Sequence, residues 1–442
     1  MQTASKKVIN GWAMYDWANS VYNLVITTSF FPIYFTAVTK KEFGSDMIPF
    51  LGRKFVNSSL YDYSLAAAYL LIAILYPVLT SIADSRGNKK NFMRFFCYTG
   101  SFGCSMLYFF NGANLWFGIS CFMLAAMGYV GSLVFYNAYL PEIAAPGDQD
   151  RVSARGFSFG YIGSVLLQLI GFALVLLIPD NQDHFFAIRI TFLLVGIWWF
   201  GFAQITFAVL PKSQKTVSKK SGIFKSGFSE VKEVYNEIKT MPALKRFLRA
   251  FFFYSMGVQT VMLAATLFGS KLLGLPDLNL IATVVLIQLV AILGAFIMSR
   301  FSAKYGNILV LMGVVVFWII ICVAAYYTAW YKEQGADPEY WFYVIAMAVG
   351  LVMGGIQSLS RSTYSKFMPE TKDTASYFSY YDLTEKIAIV IGMFSFGLIE
   401  ELTGSMKNSV LSLIVFFVIG LAWLYSALKA ENKMAKKVSL QI

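Results

Sequence analysis

The feature that most constrains this chain is a series of long apolar runs. A helix rises about 1.5 Å per residue, so roughly 20 mostly apolar residues cross the core of a bilayer. Roughly twelve such runs can be marked by that rule. They lie at 11–37, 60–83, 92–110, 114–140, 153–178, 185–210, 247–272, 278–301, 308–331, 340–366, 375–402 and 406–428. Charged residues make up only 14% of the chain, against about 25% in soluble domains. The sequence predicts an all-α polytopic membrane protein whose short connections make consecutive helices antiparallel neighbours.

The net charge of +12 raises nucleic acid as a partner, but the placement of the charges argues against it. Basic residues cluster in alternate connections, as the positive-inside rule requires. "DSRGNKKNFMR", "DQDRVSAR", the segment 212–249 and "KKVSLQI" fall on one side, which predicts cytoplasmic N- and C-termini, and the short termini and loops suit an inner membrane. Lys219 and Lys436 are then cytoplasmic and His184 extracytoplasmic. The first outer loop, with Lys40, Lys41, Arg53 and Lys54, is an exception. The first apolar run is too long for the h-region of a cleavable signal, so none is expected. Cys97, Cys104, Cys121 and Cys322 lie in apolar runs without ligand spacing and read as buried thiols. With His184 alone in a polar loop, no metal site and no cofactor are expected. The expected partners are the lipid bilayer, a small-molecule substrate and protons, and the chain is expected to be a monomer.

The middle of the chain breaks the pattern. "PKSQKTVSKKSG" is a polar, basic linker. In the stretch after it, Phe224, Phe228, Val231, Tyr235 and Ile238 recur at helical spacing, with Lys225, Glu230, Lys232, Glu233, Glu237 and Lys239 on the other face. That predicts an amphipathic surface helix. The organisation is a six-helix half at 1–210, a linker at 211–245 and a second six-helix half at 246–442. "LPEI" after the fourth run matches "MPET" after the tenth, and "SRGN" after the second matches "KYGN" after the eighth. Two parallel six-helix halves with internal symmetry are the layout of the major facilitator fold, with the substrate site near the midplane between them.

Four stretches carry candidate chemistry. In "GWAMYDWANSVYN", Trp12, Asp16, Asn19 and Asn23 share a helical face, flanked by Tyr15 and Tyr22. An interfacial aromatic belt explains the tryptophans, and helix-to-helix hydrogen bonding would explain the asparagines. An ionisable group at such a place is a functional candidate, and a cavity-lining stripe is the favoured reading. The alternative for Asp16 is a helix cap or a surface pair with Lys6 or Lys7. In "FYNAYLPEIAAPGDQDRVSARGFSFGYIGS", Tyr129, Ser132, Tyr136 and Asn137 polarise the fourth run, and Arg151, Arg155 and Ser158 share a face of the fifth. Gly156, Gly160 and Gly163 form a small-residue face that admits a neighbouring helix. Glu142 is expected to pair with Arg151 or Arg155. In the region 354–392, Gln357 and Arg361 are spaced i, i+4, as are Tyr381 with Glu385 and Asp382 with Lys386. Arg361 and Asp382 are predicted to share a depth, with Glu385 one turn deeper. In "SIADSRGNKK", Gly87 permits a tight turn and Asp84 is placed to pair with a basic group.

This last stretch resembles the gating loop of the major facilitator superfamily between spans two and three. Asp84, Gly87 and Lys89 match the pattern, whereas Thr80, Ser85 and Asn88 depart from it. "WAMYDWANSVYNLVITTSFFPIYF", "YNAYLPEIAAPGDQDRVSARGFSFGYIG" and "GGIQSLSRSTYSKFMPE" resemble the vacuole effluxer-like branch of that superfamily. The resemblance implies the fold and a transport role, with amino-acid efflux as the implied activity.

The leading expectation is therefore a secondary active transporter of a small polar or zwitterionic solute, an amino acid or small peptide. Arg361 or Arg155 would bind a carboxylate, and Asp16 or Glu385 an ammonium group. Tyr15, Tyr136, Tyr377 and Tyr381 would line the path. No "GxxxxGK[ST]" run is present, so the drive is expected to be a gradient, with protons the favoured ion. The alternatives are a transporter-like sensor or scaffold, or a carrier of a sugar-, muropeptide- or lipid-type substrate. An intramembrane enzyme lacks a nucleophile–base pair or metal set to support it.

Overall fold

The computed structural model describes residues 2–178, 185–212 and 223–439. Among the described residues twelve long helices form the array: Lys6–Phe43, Asn57–Arg86, Lys89–Met106, Leu115–Ala138, Gln149–Leu177, Phe186–Val209, Pro242–Leu267, Asp277–Tyr305, Asn307–Glu333, Glu339–Phe367, Thr374–Thr403 and Met406–Ser439. They are called spans 1 to 12. Ten are long and apolar enough to cross a membrane on their own. Span 3 carries Lys89, Lys90 and Arg94 in its first turns, and span 11 carries Asp382, Glu385 and Lys386 in its body. Both pack within the array, span 3 on spans 4 and 6, span 11 on spans 2, 4, 7 and 12. The twelve elements follow the apolar runs. Span 1 and span 12 extend further than expected, because polar ends continue as helix beyond the apolar stretch.

The packing repeats with a six-helix offset. In the first half the pairs are 1·5, 1·6, 2·4, 3·4 and 3·6. In the second they are 7·11, 7·12, 8·10, 9·10 and 9·12. Between halves, 2·11 is matched by 5·8, and 4·11 by 5·10. The hairpins repeat as well. Gly87 and Gly306, each at positive φ, close spans 2 and 8, and an asparagine follows each. The four cysteines are free and buried.

Span 1 is not α-helical throughout. Residues Tyr22–Phe30 form a π-helical stretch, so carbonyls there bond five residues ahead. Carbonyls released by that spacing find side-chain donors: Thr28 and Ser29 hydroxyls donate to the Leu24 carbonyl at 3.0 and 2.9 Å, and Tyr61 Oη donates to the Thr27 carbonyl at 2.6 Å. The 3.6-residue spacing that aligned Asn23 with Asp16 and Asn19 stops holding here.

One element was not foreseen, and one expected element differs in detail. A β-hairpin, β1 (Met47–Phe50) and β2 (Arg53–Val56), pairs Met47 with Val56 around Leu51 and Gly52. It seats Phe50 on Trp116 and carries Arg53 and Lys54, whereas Lys40 and Lys41 lie in the last helical turn of span 1. The surface helix Ile223–Thr240 rests on spans 2, 7 and 11. Val234 and Ile238 are buried, and Lys232 and Glu233 are exposed. Tyr235, expected on the apolar face, is exposed at its rim beside Tyr380. Tyr377 Oη donates to the Glu237 carboxylate, tying the helix to span 11. The side chains of Phe224, Lys225, Phe228, Glu230 and Val231, and residues His184 and Lys219, lie outside the described part.

Candidate functional site

The first span brings Asp16 into the bundle because span 5 offers it glycines. A Cβ added at Gly156 would meet Asp16 Oδ2 at 2.5 Å, Tyr136 Oη at 2.8 Å and Arg361 Nη2 at 3.0 Å. At Gly160 it would meet Ser20 Oγ at 2.5 Å, and at Gly163 the Trp17 carbonyl at 2.7 Å. The small-residue face expected from the sequence is thus the seat of span 1.

Asp16 and Arg361 meet in the space that this seat leaves. Arg361 belongs to span 10 of the second half, yet its partners are in the first. Its Nη1 lies 3.4 Å from Asp16 Oδ2 and 3.3 Å from Asn137 Oδ1, its Nε donates to Ser153 Oγ at 3.0 Å, and its Nη2 donates to the Ser153 carbonyl at 2.9 Å. The guanidinium also lies over the rings of Phe157, Trp12 and Tyr136, at 4.2, 4.9 and 5.4 Å. Tyr136 Oη donates to Asp16 Oδ2 at 2.6 Å, and Trp12 stacks on Tyr136 while donating to its carbonyl. Asp16 and Arg361 are 5% and 3% exposed. A desolvated pair needs its remaining donors satisfied to hold together, and Ser153, Asn137 and Tyr136 do this. Asp16 neither caps a helix nor pairs with Lys6 or Lys7; Ser5 caps span 1.

The network continues to span 11. Asn137 Nδ2 donates to Asp382 Oδ1 at 3.5 Å, the upper limit for a hydrogen bond, and Asp382 Oδ2 has no partner among the described residues. One turn beyond Asp16, Asn19 is fully buried, and neither polar atom of its amide has a partner among the described residues. A buried unmet polar group costs roughly 1–3 kcal/mol, so Asn19 and Asp382 are the unsettled positions of the site.

A second cluster faces the same interface. Lys386 Nζ pairs with Glu385 Oε2 at 3.0 Å, Gln259 donates to Glu385 at 3.1 Å, and Lys386 lies 5.4 Å from the Tyr69 ring centroid. The sequence aligned Lys386 with Asp382 by helical spacing, but the ion pair forms with its neighbour. Tyr161 Oη donates to Gln357 Oε1 at 2.8 Å. Tyr15 packs on Tyr136 and Phe207 inside the first half, and Tyr381 stacks on Phe251 and Tyr364 inside the second. Asn23 is half-buried within the π-helical stretch. Arg155 is half-buried over Phe159, apart from the Arg361 cluster.

Both hairpins form latches between halves at the end that carries the termini. At the first, Lys89 lies 3.0 Å from Asp84 and 2.6 Å from Glu142, with Lys89 and Asp84 essentially unexposed. Lys89 also donates to Thr374 Oγ1, and Asp84 accepts from the backbone N–H groups of Ala375 and Ser376, at the start of span 11. A carboxylate there is favoured by the free N–H groups and the helix dipole. At the second, Asp150 accepts from Ser302, Asn307 and Lys366, at 2.8, 2.7 and 2.6 Å. This corrects one expectation. Glu142 pairs with Lys89, not with Arg151 or Arg155, because Lys89 opens span 3, which packs on span 4. Arg151 is exposed and pairs with Asp148 on its own turn. Ser153, Asp150, Lys366 and Thr374 were not singled out from the sequence; a serine or a charge near a span end carries no signal of a partner 150 or more residues away.

Polar contacts between the halves run from these latches to a Gln168–Gln288 bond of 2.9 Å, the outermost among the described residues. Gln168 also donates to Ser29 in the π-helical stretch.

Comparison with known proteins agrees with this architecture. The family described as vacuole effluxer Atg22 like matches residues 4–437. The chain is 32% identical to an uncharacterized MFS-type transporter, YxiO of Bacillus subtilis, over 93% of this chain and 92% of that one. It is 22% identical to autophagy-related protein 22 of Kluyveromyces lactis, over 94% and 92%. The human organic anion transporter MFSD10 superposes with a TM-score of 0.74 at 11% identity, covering 95% of this chain and 99% of that one. The chain is a multi-pass membrane transporter of the major facilitator fold, not an enzyme, and it belongs to the vacuole effluxer Atg22-like family.

Proposed function

We propose that this transporter moves a small polar or zwitterionic solute, an amino acid or short peptide, by alternating access, and that protons drive it. The supporting observation is the Asp16–Arg361 pair, a charge contact between halves buried at the core of the bundle. At 3.4 Å it is longer than the 2.7–2.9 Å or so of a strong charge-assisted bond, so a competing group has room to replace either side. A substrate carboxylate competes with Asp16 for Arg361. A substrate ammonium competes for Asp16 or for the open oxygen of Asp382. Protonating Asp16 removes the charge that holds Arg361 to the first half. Each event loosens the contact that must part when the halves rock. Both latches are closed in this conformation, so the end that carries the termini is shut. Charge placement supports cytoplasmic termini, the short loops suit an inner membrane, and likeness to the vacuole effluxer-like family supports efflux as the direction.

Proteoliposomes with an imposed pH gradient test this. Counterflow of a panel of amino acids and dipeptides should identify a substrate carried without chemical change. Asp16→Asn keeps the shape and removes the charge. It should insert and fold as wild type yet lose net gradient-driven flux by roughly 10-fold or more, which corresponds to about 1.4 kcal/mol. Wild-type, gradient-dependent flux by Asp16→Asn would overturn the coupling role. Binding without flux in the wild type would favour a sensor.

A further inference from the structure

At the latch end, away from the central site, the start of span 7 meets the surface helix and span 12 around a hollow. It is lined by Lys239, Pro242, Lys245, Arg246, Arg249, Trp423 and Ser426. No carboxylate lines it, and none of its four cations is in an ion pair among the described residues. Three of them are held in place by other means, Lys239 Nζ lying 4.1 Å from the Tyr235 ring centroid. Arg246 Nη1 donates to the Ser426 carbonyl at 2.9 Å, and the Arg249 guanidinium lies 4.6 Å from the Trp423 ring centroid. Pro242 opens span 7, so the positive end of a helix adds to the field. Trp423 is half-buried, and tryptophans are enriched where helices meet lipid headgroups.

The sequence reads these residues as a positive-inside loop. Loop charges of that kind need only be wet and dispersed. Here three elements turn them toward one concavity, beside a tryptophan, with no acid to neutralise them. We infer that this hollow binds the phosphate of an anionic phospholipid headgroup, with Lys245, Arg246 and Arg249 as its donors and Trp423 as its wall toward the acyl chains. Basic pockets between helices at a membrane surface recognise such headgroups. Because the site joins the surface helix to spans 7 and 12, a bound lipid would brace the second half where it begins.

The test uses full-length purified protein and native mass spectrometry with dioleoyl phosphatidylglycerol, dioleoyl phosphatidylcholine and inorganic phosphate as probes. Wild type should retain phosphatidylglycerol well above phosphatidylcholine, and millimolar phosphate should not abolish that preference. Lys245→Gln with Arg249→Gln should weaken phosphatidylglycerol binding about fivefold per charge removed. Lys245→Arg with Arg249→Lys should keep it. Equal retention of both lipids by wild type, or unchanged phosphatidylglycerol binding by the charge-removed variant, would overturn the proposal. Loss of the preference in phosphate would do so too, pointing to a site for soluble anions. If the charge-removed variant does not fold, the wild-type arms and the charge-keeping variant decide.

Discussion

The two latches occupy equivalent places, yet they are built from opposite chemistry. In the first, all three charged groups, Asp84, Lys89 and Glu142, belong to the first half. The second half contributes neutral donors: two backbone N–H groups and the hydroxyls of Thr374 and Ser376, with Lys89 also reaching the Lys372 carbonyl. In the second, the acid Asp150 is on the first half and its cation Lys366 is on the other. Opening the first latch therefore leaves its ion network intact and strips only helix-terminus bonds. Opening the second separates opposite charges. A pseudo-symmetric frame thus carries one latch that fixes the structure of a half and one that responds to the relation between halves.

Lys89→Met should have the largest effect. It strands two carboxylates around an apolar side chain, and breaking a buried pair costs about 3–5 kcal/mol. The loss should appear as a large fall in apparent melting temperature, in either conformation. A normal melting temperature would mean that the first latch is not a structural core of its half.

Asp150→Asn should cost less in stability and more in conformation. Removing hydrogen bonds to a charged group is worth about 1.5–3 kcal/mol, or roughly 10- to 100-fold in the open-to-closed ratio. Spin labels on the latch ends of spans 5 and 8 should report a longer distance, while the melting temperature changes little. Equal shifts in both readouts for Asp150→Asn and Lys89→Met would erase the distinction between the latches.

Ser376→Ala is the smallest change. It removes one hydroxyl bond to Asp84, of 2.8 Å, and leaves the backbone N–H groups in place. The expected cost is about 0.5–1.5 kcal/mol, read as a small opening of spans 2 and 11. A large opening would mean that the hydroxyl, not the helix start, holds this latch.

How much of this was legible in the sequence differs by residue. The spans, the halves and the hairpin repeat follow from apolar length and short motifs, which are local. Asp16 stood out because a carboxylate in an apolar run is costly, and Gly156, Gly160 and Gly163 because their spacing makes a face. Partners were not legible. Arg361 and Asp16 are 345 residues apart, and nothing in either stretch names the other. Charge spacing on one helix misled for Lys386, since side-chain reach favoured the adjacent Glu385. Glu142 was assigned to arginines near it in sequence, whereas Lys89 reaches it from another hairpin. The π-helical stretch escaped because a 3.6-residue period was assumed to run the whole length of span 1.

That stretch also has a consequence in time. Tyr22–Phe30 is held at its wide spacing partly by hydroxyls from Thr28, Ser29 and Tyr61, and Ser29 is linked through Gln168 to Gln288 in the other half. When the halves part and Gln288 lets go, that chain of bonds loses its far end. Helix register shifts run on the microsecond-to-millisecond scale, the same window as the rocking of domains. The Tyr22–Phe30 stretch of span 1 would then keep its own time, set by how long a glutamine in the opposite half keeps hold.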